Sequence, residues 1–568
     1  MNNKYKGIIA SNGIAIGKAY IFNKTKVDVV KANIEEEQVS VEVEKIKKAI
    51  ADYDKQLNER LVSSEEEQAV IDAHKELLAD PYLIETIENK ISGDKVKSDW
   101  ALKETIEEMV SMMEMLDDEY LKERAADYKD IGERIMYELK GIKAKSLEKL
   151  DDDYIVISEE LTPSDTSTMD KAKVLGFAMN LGGKTSHTSI IAQTLSIPAL
   201  VGMKNITENV EHGDTIILDS MEGIIITNPS EEVLKAYSDL QNKMIEEKEA
   251  LDKDKFKEAI TKDDRKVEVA CNIGNLEDLE LGLKDGADGV GLFRTEFLYM
   301  DSNEFPSEEK QFEVYKKAAE RLEGKPLIIR TLDIGGDKSL SYFEFPKEEN
   351  PFLGWRALRI CFDKEEVFRD QLRAILRASA YGNVKILLPM VISVEELERV
   401  NELLDKYMKE LSDENIEFDA NIEVGVMIET PASVFIAEEL IQHCDYFSIG
   451  TNDLTQYILA VDRGNENISH LYNNYHPAVL RAMKKVIDAS HKAGKWTGMC
   501  GSMASDTKAT YLLLGMGLDE FSSVGSKISK IKNTVLNANY REAEDFANKI
   551  LSMSRVSEIE KEIEGLEI

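Results

Sequence analysis

Residues 182–189 bring a histidine together with residue types that suit a phosphate group. Gly182 and Gly183 precede His187, which lies among four hydroxyl side chains. Glycines let a backbone approach a ligand closely, and the free N–H groups at the start of the helix-like run 190–192 can bind phosphate oxygens. An imidazole in this setting can act as a nucleophile toward phosphorus or as a general base. The alternative is a histidine that only caps a helix, and the clustering favours chemistry.

A second group of candidate residues is cationic and lies in the C-terminal half of the chain. Guanidinium groups bind phosphate and carboxylate through paired hydrogen bonds, so clustered arginines suit a small anion that carries both groups. Arg356 has the strongest claim to a partly structural role, whereas Arg294 and Arg330 lie at predicted strand ends. The residues that predict this strongly cationic pocket are Arg294, Arg330, Lys338, Arg356 and Arg463.

Two acidic residues and one cysteine complete the candidate site. Glu429 and Asp453 follow different predicted strands and can share one hard divalent cation, since Mg²⁺ prefers few carboxylates together with ligand oxygens and water. Cys500 lies in the segment Gly498–Gly501, where its thiol can face the same pocket. Most lone cysteines are buried and inert, but a strand-end thiol in an anion pocket is a candidate proton donor. The sequence shows no general base paired with Cys500, so it does not indicate a cysteine protease.

The elements that must position these residues follow from the alternation of buried-strand runs with amphipathic helices. The eight strand candidates are Val267–Ile273, Gly289–Phe293, Leu327–Thr331, Lys385–Pro389, Ile422–Ile428, Tyr446–Ile449, Trp496–Met499 and Glu520–Ser523. Eight such units predict a (β/α)₈ TIM barrel over residues 261–568, with its chemistry at the carboxyl ends of the strands. Polar residues do fall at these ends: Asn272, Arg294, Thr295, Glu296, Arg330, Asp333, Glu429, Asn452, Asp453 and Cys500.

The N-terminal part of the chain has the pattern of an α/β domain interrupted by helices. Short β-like runs occur near residues 1–20 and 150–228, with the His187 segment among them, whereas residues 30–145 are helical and acidic. The helical block is therefore predicted to be an insertion. The predicted organisation of this multidomain α/β protein is an α/β domain at 1–22 and 146–229, a helical bundle at 23–145 and a helical linker at 230–260.

Some residues of the helical block allow two interpretations. Methionines that recur on a helix are either core residues or an adaptable docking surface, because thioether side chains repack easily against a partner. Core is favoured for most of Met109, Met112, Met113 and Met115. His74 is either a structural residue or part of a face that contacts a partner.

Composition limits the class of partner. The chain has 568 residues, 71 basic against 108 acidic, and a formal net charge of −37. Nucleic acid and anionic membranes need a cationic surface, so neither is expected as a main partner. The four cysteines are widely spaced and form no CxxC pair, which fits a reducing cytoplasm. No apolar run approaches the ~20 residues of a membrane span, and the N-terminus lacks the apolar core of a signal peptide.

Several of these segments resemble a known family. Residues 182–192 resemble the phosphohistidine signature of the phosphoenolpyruvate-utilising enzymes. The barrel segments resemble the signatures of the branch that serves the sugar phosphotransferase system, and they are Asp333–Lys338, Glu429–Ala432, Gly450–Tyr457 and Val461–Asn465. The resemblance covers essentially the whole chain, and the motifs together are highly specific.

The resemblance implies a mechanism. Phosphoenolpyruvate binds at the barrel mouth with Mg²⁺ on Glu429 and Asp453, and His187 attacks its phosphorus from a swivelling phosphohistidine domain. Cys500 then protonates the enolate to give pyruvate. The implied substrate-binding residues are Arg294, Arg330, Lys338, Arg356, Asn452, Asp453 and Arg463. The helical block docks the small phosphocarrier protein HPr, whose histidine accepts the phosphoryl group, and the barrel forms a homodimer.

Two other functions remain as alternatives. A pyruvate phosphate dikinase or phosphoenolpyruvate synthase would carry a nucleotide-binding domain before the histidine domain, where this chain has a helical stretch without a glycine-rich loop. A regulatory phosphorelay adaptor with weak turnover would not need the full set of barrel residues.

Three residues depart from the family pattern. Lys184 and Gln193 replace arginines common in relatives, and Ser502 replaces a common acidic residue.

Overall fold

The computed structural model describes the chain as two units, Met1–Glu246 and Glu247–Ile568. The described residues are 3–25, 27–60, 65–115, 119–143, 145–170, 172–183, 192, 197–300, 302–336, 338, 340–465 and 467–566. None of the helices within these ranges is both long enough and apolar enough to cross a membrane.

The first unit contains an eight-stranded sheet of mixed direction. Its strands are β1 (Asn3–Lys6), β2 (Ile8–Ser11), β3 (Ile14–Phe22), β4 (Tyr154–Ser158), β5 (Val174–Met179), β6 (Ala199–Val201), β7 (Thr215–Asp219) and β8 (Ile224–Thr227). Their order across the sheet is β1-β8-β7-β3-β4-β5-β6-β2. The pairs from β3 to β6 are parallel and the other pairs are antiparallel. Apolar side chains pack on both faces of the sheet, and β4, β6 and β8 are buried throughout, whereas β1 at one edge is largely exposed.

A helical bundle is inserted between two neighbouring strands of this sheet. Strands β3 and β4 pair side by side, with Lys18 opposite Tyr154, although the bundle separates them in the sequence. Its helices are α1 (Glu36–Glu59), α2 (Glu65–Leu78), α3 (Pro81–Gly93), α4 (Ser98–Glu114) and α5 (Glu119–Lys140). The bundle has its own core, in which Leu83, Ile87 and Ile131 are completely buried. The predicted insertion of a helical bundle into an α/β domain is thereby confirmed.

The two open interpretations in the bundle are decided by burial. Met109 is buried and Met113 packs against the core, so the core interpretation is correct for these two. It is wrong for Met112 and Met115, which are 60% and 85% exposed at the end of α4. His74 is buried, with Nδ1 2.8 Å from the Tyr53 hydroxyl oxygen, and its role is structural.

Short helices α6 (Pro163–Ser167) and α7 (Ile206–Asn209) follow in the α/β part, and the predicted connector helix is α8 (Glu231–Asp254). The first half of α8 packs against the sheet of the first unit through Val233, Leu234 and Tyr237. The Tyr237 hydroxyl donates a hydrogen bond of 2.9 Å to Asp219 Oδ2. The boundary between the two units falls inside this helix.

The second unit is a closed barrel of eight parallel strands, as predicted. They are β10 (Lys266–Ile273), β11 (Val290–Arg294), β12 (Leu327–Arg330), β13 (Val384–Leu388), β14 (Val424–Ile428), β15 (Tyr446–Ile449), β16 (Trp496–Met499) and β17 (Glu520–Ser523). Each strand pairs with the next in the chain, and β17 pairs with β10 to close the barrel. A two-residue strand, β9 (Ala259–Ile260), pairs antiparallel with β10.

Helices surround the barrel and bury the outer faces of its strands. They are α9 (Leu276–Lys284), α10 (Glu296–Met300), α11 (Glu308–Arg321), α12 (Leu358–Asp363), α13 (Glu365–Ala378), α14 (Val394–Asp413), α15 (Pro431–Phe435), α16 (Ala437–Leu440), α17 (Thr451–Leu459), α18 (Pro477–Lys492), α19 (Thr510–Gly515), α20 (Gly525–Asn537), α21 (Tyr540–Ser552) and α22 (Val556–Glu564). The largest apolar cluster lies between strands and helices, and a smaller one containing Leu292, Met427 and Tyr446 fills the barrel interior. The candidate residues lie where the strands leave these two cores.

Candidate active site

The residues predicted at the strand ends share one end of the barrel. Arg294 and Arg330 are the last residues of β11 and β12 and lie opposite each other in the register. Glu429 directly follows β14, Cys500 directly follows β16, and Asp453 lies in the first turn of α17. Because the eight strands are parallel, all these positions belong to the carboxyl-terminal mouth.

Asp333 is the centre of a buried cluster of ion pairs at this mouth. Its Oδ2 lies 3.1 Å from Arg330 Nη1 and 2.9 Å from Lys338 Nζ. Its Oδ1 lies 2.9 Å from Arg356 Nη2. Burial alone would raise the pKa of Asp333, but the three cations outweigh burial and hold the pKa well below its usual range. The ionised carboxylate therefore holds three of the five predicted cationic residues together.

Glu296 forms a second bridge between two of the same cations. Its Oε1 lies 2.5 Å from Arg330 Nη2 and 2.9 Å from Lys338 Nζ. Within the described residues, several buried polar atoms at this mouth have no hydrogen-bond partner, among them Arg294 Nε, Glu296 Oε2, Arg330 Nε and Arg356 Nε. Buried polar groups are normally paired, so these atoms indicate where a polar ligand would complete the hydrogen bonding.

Arg356 extends the cluster toward the acidic pair. Its Nη2 lies 3.2 Å from Asp453 Oδ2, and its Nη1 donates to the Tyr457 hydroxyl at 3.3 Å. The Tyr457 hydroxyl in turn donates to the Phe352 carbonyl oxygen at 2.5 Å. Carboxylates therefore offset the predicted cations, and the mouth has balanced charge rather than the strongly cationic character expected from the sequence.

Glu429 and Asp453 are both buried and lie within electrostatic reach of each other. Glu429 Oε1 accepts the main-chain N–H of Met390 at 2.7 Å. Burial, and then the Asp453 and Asp333 carboxylates, raise the pKa of Glu429 to about 8. The part of the chain described by the structure has no group of three or more His, Cys, Asp or Glu side chains that could hold a metal ion. The acidic pair thus suits a cation such as Mg²⁺, which takes most of its oxygen ligands from substrate and water.

Asn452 and Arg463 occupy the rim. Asn452 Oδ1 accepts the main-chain N–H of Ser502 at 3.0 Å, which links the loops after β15 and β16. Arg463 is exposed, and its main-chain N–H donates to Gln456 Oε1 at 3.1 Å. The structure therefore brings Arg330, Lys338 and Arg356 together and leaves Arg463 outside their buried cluster.

Cys500 lies inside the barrel, beneath the polar cluster, and is 6% exposed. Its main-chain N–H donates to the Ile449 carbonyl oxygen of β15 at 3.2 Å. Burial raises the pKa of the Cys500 thiol to about 12, against the opposing effects of the Ser448 hydroxyl and the Arg330 guanidinium. The thiol is therefore protonated at neutral pH, which suits a proton donor and not a nucleophile.

The predicted nucleophile His187 lies outside the described residues, as do its neighbours Lys184 and Gln193. Gly182, at the end of the described segment, has a φ of 99°, a conformation that favours glycine.

Comparisons with known proteins cover nearly the whole chain. Residues 248–540 match the family described as "PEP-utilising enzyme, PEP-binding domain", residues 6–124 match "PEP-utilising enzyme, N-terminal" and residues 150–223 match "PEP-utilising enzyme, mobile domain". A relative from Buchnera aphidicola subsp. Schizaphis graminum is 46% identical over 97% of this chain and 98% of its own length. Relatives from Haemophilus influenzae and Bacillus subtilis are 45% and 44% identical, each over 98% of both chains. All three are named phosphoenolpyruvate-protein phosphotransferase.

The chain belongs to the phosphoenolpyruvate-protein phosphotransferase family. It is therefore an enzyme with the architecture predicted from the sequence: an α/β domain that carries a helical insertion, followed by a barrel.

Three residues of the phosphotransferase site had no predicted role. In the sequence, Glu296 stood out only as a polar residue at a strand end, Asp333 as such a residue and as part of a family-like segment, and Tyr457 only as part of a family-like segment. Their role as partners of Arg330 and Arg356 depends on side chains from separate segments of the barrel, which spacing along the chain does not reveal. An acidic residue within a few positions of a strand-end arginine is the signal that could have indicated Asp333 and Glu296.

Proposed function

We propose that this phosphotransferase moves the phosphoryl group of phosphoenolpyruvate to its own His187, releases pyruvate, and passes the group to the phosphocarrier protein HPr. This is the first step of sugar uptake by the phosphotransferase system. The observation that carries the proposal is the buried cluster of Arg330, Lys338 and Arg356 around Asp333, next to the acidic pair. It occurs at the catalytic end of a barrel, in a chain whose relatives carry this activity in their names.

The barrel mouth offers groups for both ends of phosphoenolpyruvate. Arg294, Arg330 and Arg356 each have a buried Nε without a partner in the described residues. Guanidinium groups aimed into a water-poor pocket bind phosphate and carboxylate oxygens and offset the charge that develops during phosphoryl transfer. Lys338 and Asn452 add donors to this site, and the exposed Arg463 at the rim is a further proposed binding residue.

Glu429 and Asp453 are the proposed ligands of Mg²⁺. Both carboxylates are buried and their mutual repulsion favours a bound cation. When bound there, Mg²⁺ would supply charge stabilisation to the transferring phosphoryl group. The protein's own contribution is to hold Glu429 through the Met390 N–H and Asp453 through Arg356, so that both keep fixed positions.

Cys500 is the proposed proton donor. After phosphoryl transfer the enolate takes the thiol proton at C3, the electron pair of its double bond forms the new C–H bond, and the C2–O bond becomes a carbonyl. The thiolate regains a proton from water after pyruvate leaves. The high pKa of the buried thiol supports this role, because a protonated group is needed at that moment.

The helical bundle is the proposed docking site for HPr. Met112 and Met115 at the end of α4 expose most of their surface, and Tyr82 at the start of α3 is 62% exposed. Such flexible and aromatic side chains are adaptable contacts for a protein partner. The imidazole of His187, in its neutral form, is the proposed carrier of the phosphoryl group between the two reactions.

The proposed assembly is a homodimer formed through the barrel. A groove of about 610 Å³ at the barrel rim is lined largely by apolar side chains such as Phe352, Leu353 and Val461. Leu353 is 64% exposed in the single chain. Sedimentation at several concentrations tests the dimer, and a species that stays monomeric throughout would contradict it.

The proposed location is the cytoplasm, since all four cysteines are unpaired thiols.

Incubation with ³²P-labelled phosphoenolpyruvate, Mg²⁺ and HPr tests the whole proposal. We expect acid-labile label on the enzyme, then on HPr, together with release of pyruvate. His187→Ala should abolish labelling of both proteins, whereas His212→Ala, in the same unit, should leave it intact. Label retained by the His187→Ala protein would contradict the assignment of the nucleophile.

A further inference from the structure

The end of strand β16 is held on one side by a side chain instead of by a neighbouring strand. Strand β16 pairs with β17 at Gly498–Glu520 and Met499–Phe521, and Cys500 is the next residue. The Cys500 carbonyl oxygen accepts a hydrogen bond of 3.1 Å from Asn272 Nδ2. The Asn272 amide thus continues the pairing where the ladder between β16 and β17 stops.

The same amide is fixed by two further hydrogen bonds. Asn272 Nδ2 also donates to the Ser522 carbonyl oxygen at 3.3 Å, and Asn272 Oδ1 accepts from Ser522 Oγ at 2.7 Å. A carbonyl oxygen only accepts, so the NH₂ group must face the two carbonyls and the oxygen must face the hydroxyl. An asparagine supplies this combination of two donors and one acceptor, whereas an aspartate of the same shape would place a carboxylate against two carbonyl oxygens.

The Cys500 thiol depends on its backbone for its position. Its Sγ lies 4.0 Å from the Ile449 carbonyl oxygen, a weak contact, and the Ser448 hydroxyl also acts on the thiol. The side chains packed around it include Leu292, Met427 and Tyr446, which hold a thiol by shape and not by strong hydrogen bonds. The two main-chain groups of Cys500 therefore set where Sγ lies, and these groups bond to Ile449 on one side and Asn272 on the other.

We propose that Asn272 is a positioning residue for proton transfer, whose amide fixes the Cys500 peptide and so aims the thiol at C3 of the enolate. The inference rests on the proposed function, in which Cys500 is the proton donor. Asn272 acts through Cys500, so its loss should impair protonation of the enolate and leave the preceding phosphoryl transfer unaffected.

The test separates these two steps in the full-length enzyme. Single-turnover labelling of the protein from ³²P-phosphoenolpyruvate measures phosphoryl transfer. Phosphoenolpyruvate with hydrogen isotopes placed stereospecifically at C3 shows whether the new C–H bond forms on one face of the enolate. The variants are Asn272→Asp, which keeps the shape and loses both donors, Cys500→Ala as reference, and Asn537→Asp as a matched control on the exposed face of α20.

We expect the rate of phosphoryl transfer to His187 in Asn272→Asp to stay within about twofold of that in the unmodified enzyme. Protonation of the enzyme-bound enolate should slow on the order of 10²-fold, because a reacting group that is misplaced by a small distance loses about this much rate. The enolate then leaves and is protonated in solution, so the pyruvate methyl group loses its stereochemical purity, as with Cys500→Ala. Asn537→Asp should retain both properties. If Asn272→Asp does not fold, Ser522→Ala, which keeps the amide donors but frees the amide to rotate, should show the same loss to a smaller extent.

Stereospecific protonation at the normal rate in Asn272→Asp would overturn the inference, and so would a parallel loss of phosphoryl transfer, which indicates a general structural defect. Stereospecific protonation retained in Cys500→Ala is a different result. It would remove Cys500 as the donor, and with it the basis of the inference, while leaving the phosphorylation of His187 untouched.

Discussion

At the scale of single residues, Asp333 is the carboxylate that joins three cations of the phosphotransferase site. It contacts Arg330, Lys338 and Arg356, and each of these cations is also proposed to bind substrate. A carboxylate that neutralises three cations holds them in fixed positions before the substrate arrives. Pre-organised charge of this kind is what stabilises phosphoryl transfer.

Asp333→Asn should lower both stability and activity. Removing one partner of a buried ion-pair cluster costs about 3–5 kcal/mol, and displacement of the three cations should slow labelling of the enzyme by about 10²-fold. Thermal unfolding and single-turnover labelling measure the two effects. Asp488→Asn changes an exposed aspartate that pairs with Lys484 on the same helix; it is the control and should change stability by less than about 0.5 kcal/mol. An Asp333→Asn enzyme with normal affinity for phosphoenolpyruvate would contradict the role given to Asp333.

Gly450→Ala should weaken the response to Mg²⁺. A Cβ at this position would lie 2.9 Å from Glu429 Oε2 and 3.1 Å from Glu429 Cβ, so the carboxylate must move. Crowding of a packed site costs about 1–3 kcal/mol, which corresponds to an increase of about tenfold in the Mg²⁺ concentration for half-maximal labelling. Titration with Mg²⁺ measures this change. Gly565→Ala, where the new Cβ has an ordinary contact of 3.4 Å, should titrate like the unmodified enzyme, and an unchanged midpoint for Gly450→Ala would contradict the metal assignment.

At the scale of elements, the barrel was predictable because each strand is a short apolar run bounded by polar residues. The observed strand Val424–Ile428 lies within the predicted run Ile422–Ile428 and ends at the same residue, immediately before Glu429. Strand ends that carry functional residues are therefore visible in the sequence. Burial on one side of a helix was less predictable, since Met109 and Met112 lie on the same helix and only Met109 is buried.

The long-range partners of the site residues were not predictable from the sequence. Arg356 contacts Asp333, 23 residues away, and Asp453, 97 residues away, and both contacts arise only when the barrel closes. The pairing of a side-chain amide with the Cys500 carbonyl likewise depends on where the ladder between β16 and β17 ends. Periodicity and strand spacing do not encode such contacts, because they depend on side-chain directions in three dimensions.

The exposed end of α4 leads to a prediction about the carrier protein. Replacing Met112 and Met115 together by serine should weaken binding to HPr by about 10²-fold, since burying each side chain at an interface contributes about 1.5 kcal/mol and the two losses add. Labelling of the enzyme by phosphoenolpyruvate should be unchanged. Calorimetric titration measures the affinity. Met221→Ser, a methionine that is 51% exposed in the α/β part, is the control, and equal loss of affinity in both proteins would argue against docking at α4.

At the scale of the whole molecule, the barrel encloses ionisable groups at both of its ends. The barrel encloses several carboxylates at its mouth, and these are balanced by arginines and a lysine. It also encloses Glu520 at its opposite end, where β17 begins. Glu520 is 3% exposed, and its Oε2 has no hydrogen-bond partner in the described residues. A Cβ at Gly291 or Gly498 would approach its carboxyl oxygens to 2.0 Å, so these two glycines leave the space that the carboxyl group occupies.

The stability of the barrel should therefore depend on pH through Glu520. Burial, and then the Glu268 carboxylate, raise the pKa of Glu520 to about 8, although Lys385 opposes the shift. The unfolded chain has a value near 4.3, so the folded state binds the proton more tightly. The stability that the folded state gains from binding the Glu520 proton more tightly is complete below about pH 4.3. It is lost as pH rises toward about 8, and its upper limit is about 5 kcal/mol.

Glu520→Gln, a neutral residue of the same shape, should remove this dependence. We expect the barrels of the two proteins to unfold at similar midpoint temperatures at pH 5. As the pH rises to 8, the midpoint of the unmodified protein should fall progressively below that of the variant. Other groups with raised pKa values, such as Glu429, are present in both proteins and cancel in the comparison. Differential scanning calorimetry across this range gives the measurement, with Glu558→Gln as an exposed control that should follow the unmodified protein. A difference between Glu520→Gln and the unmodified protein that is constant with pH would contradict the raised pKa of Glu520, because it would mean that folding does not change the protonation of this group between pH 5 and 8.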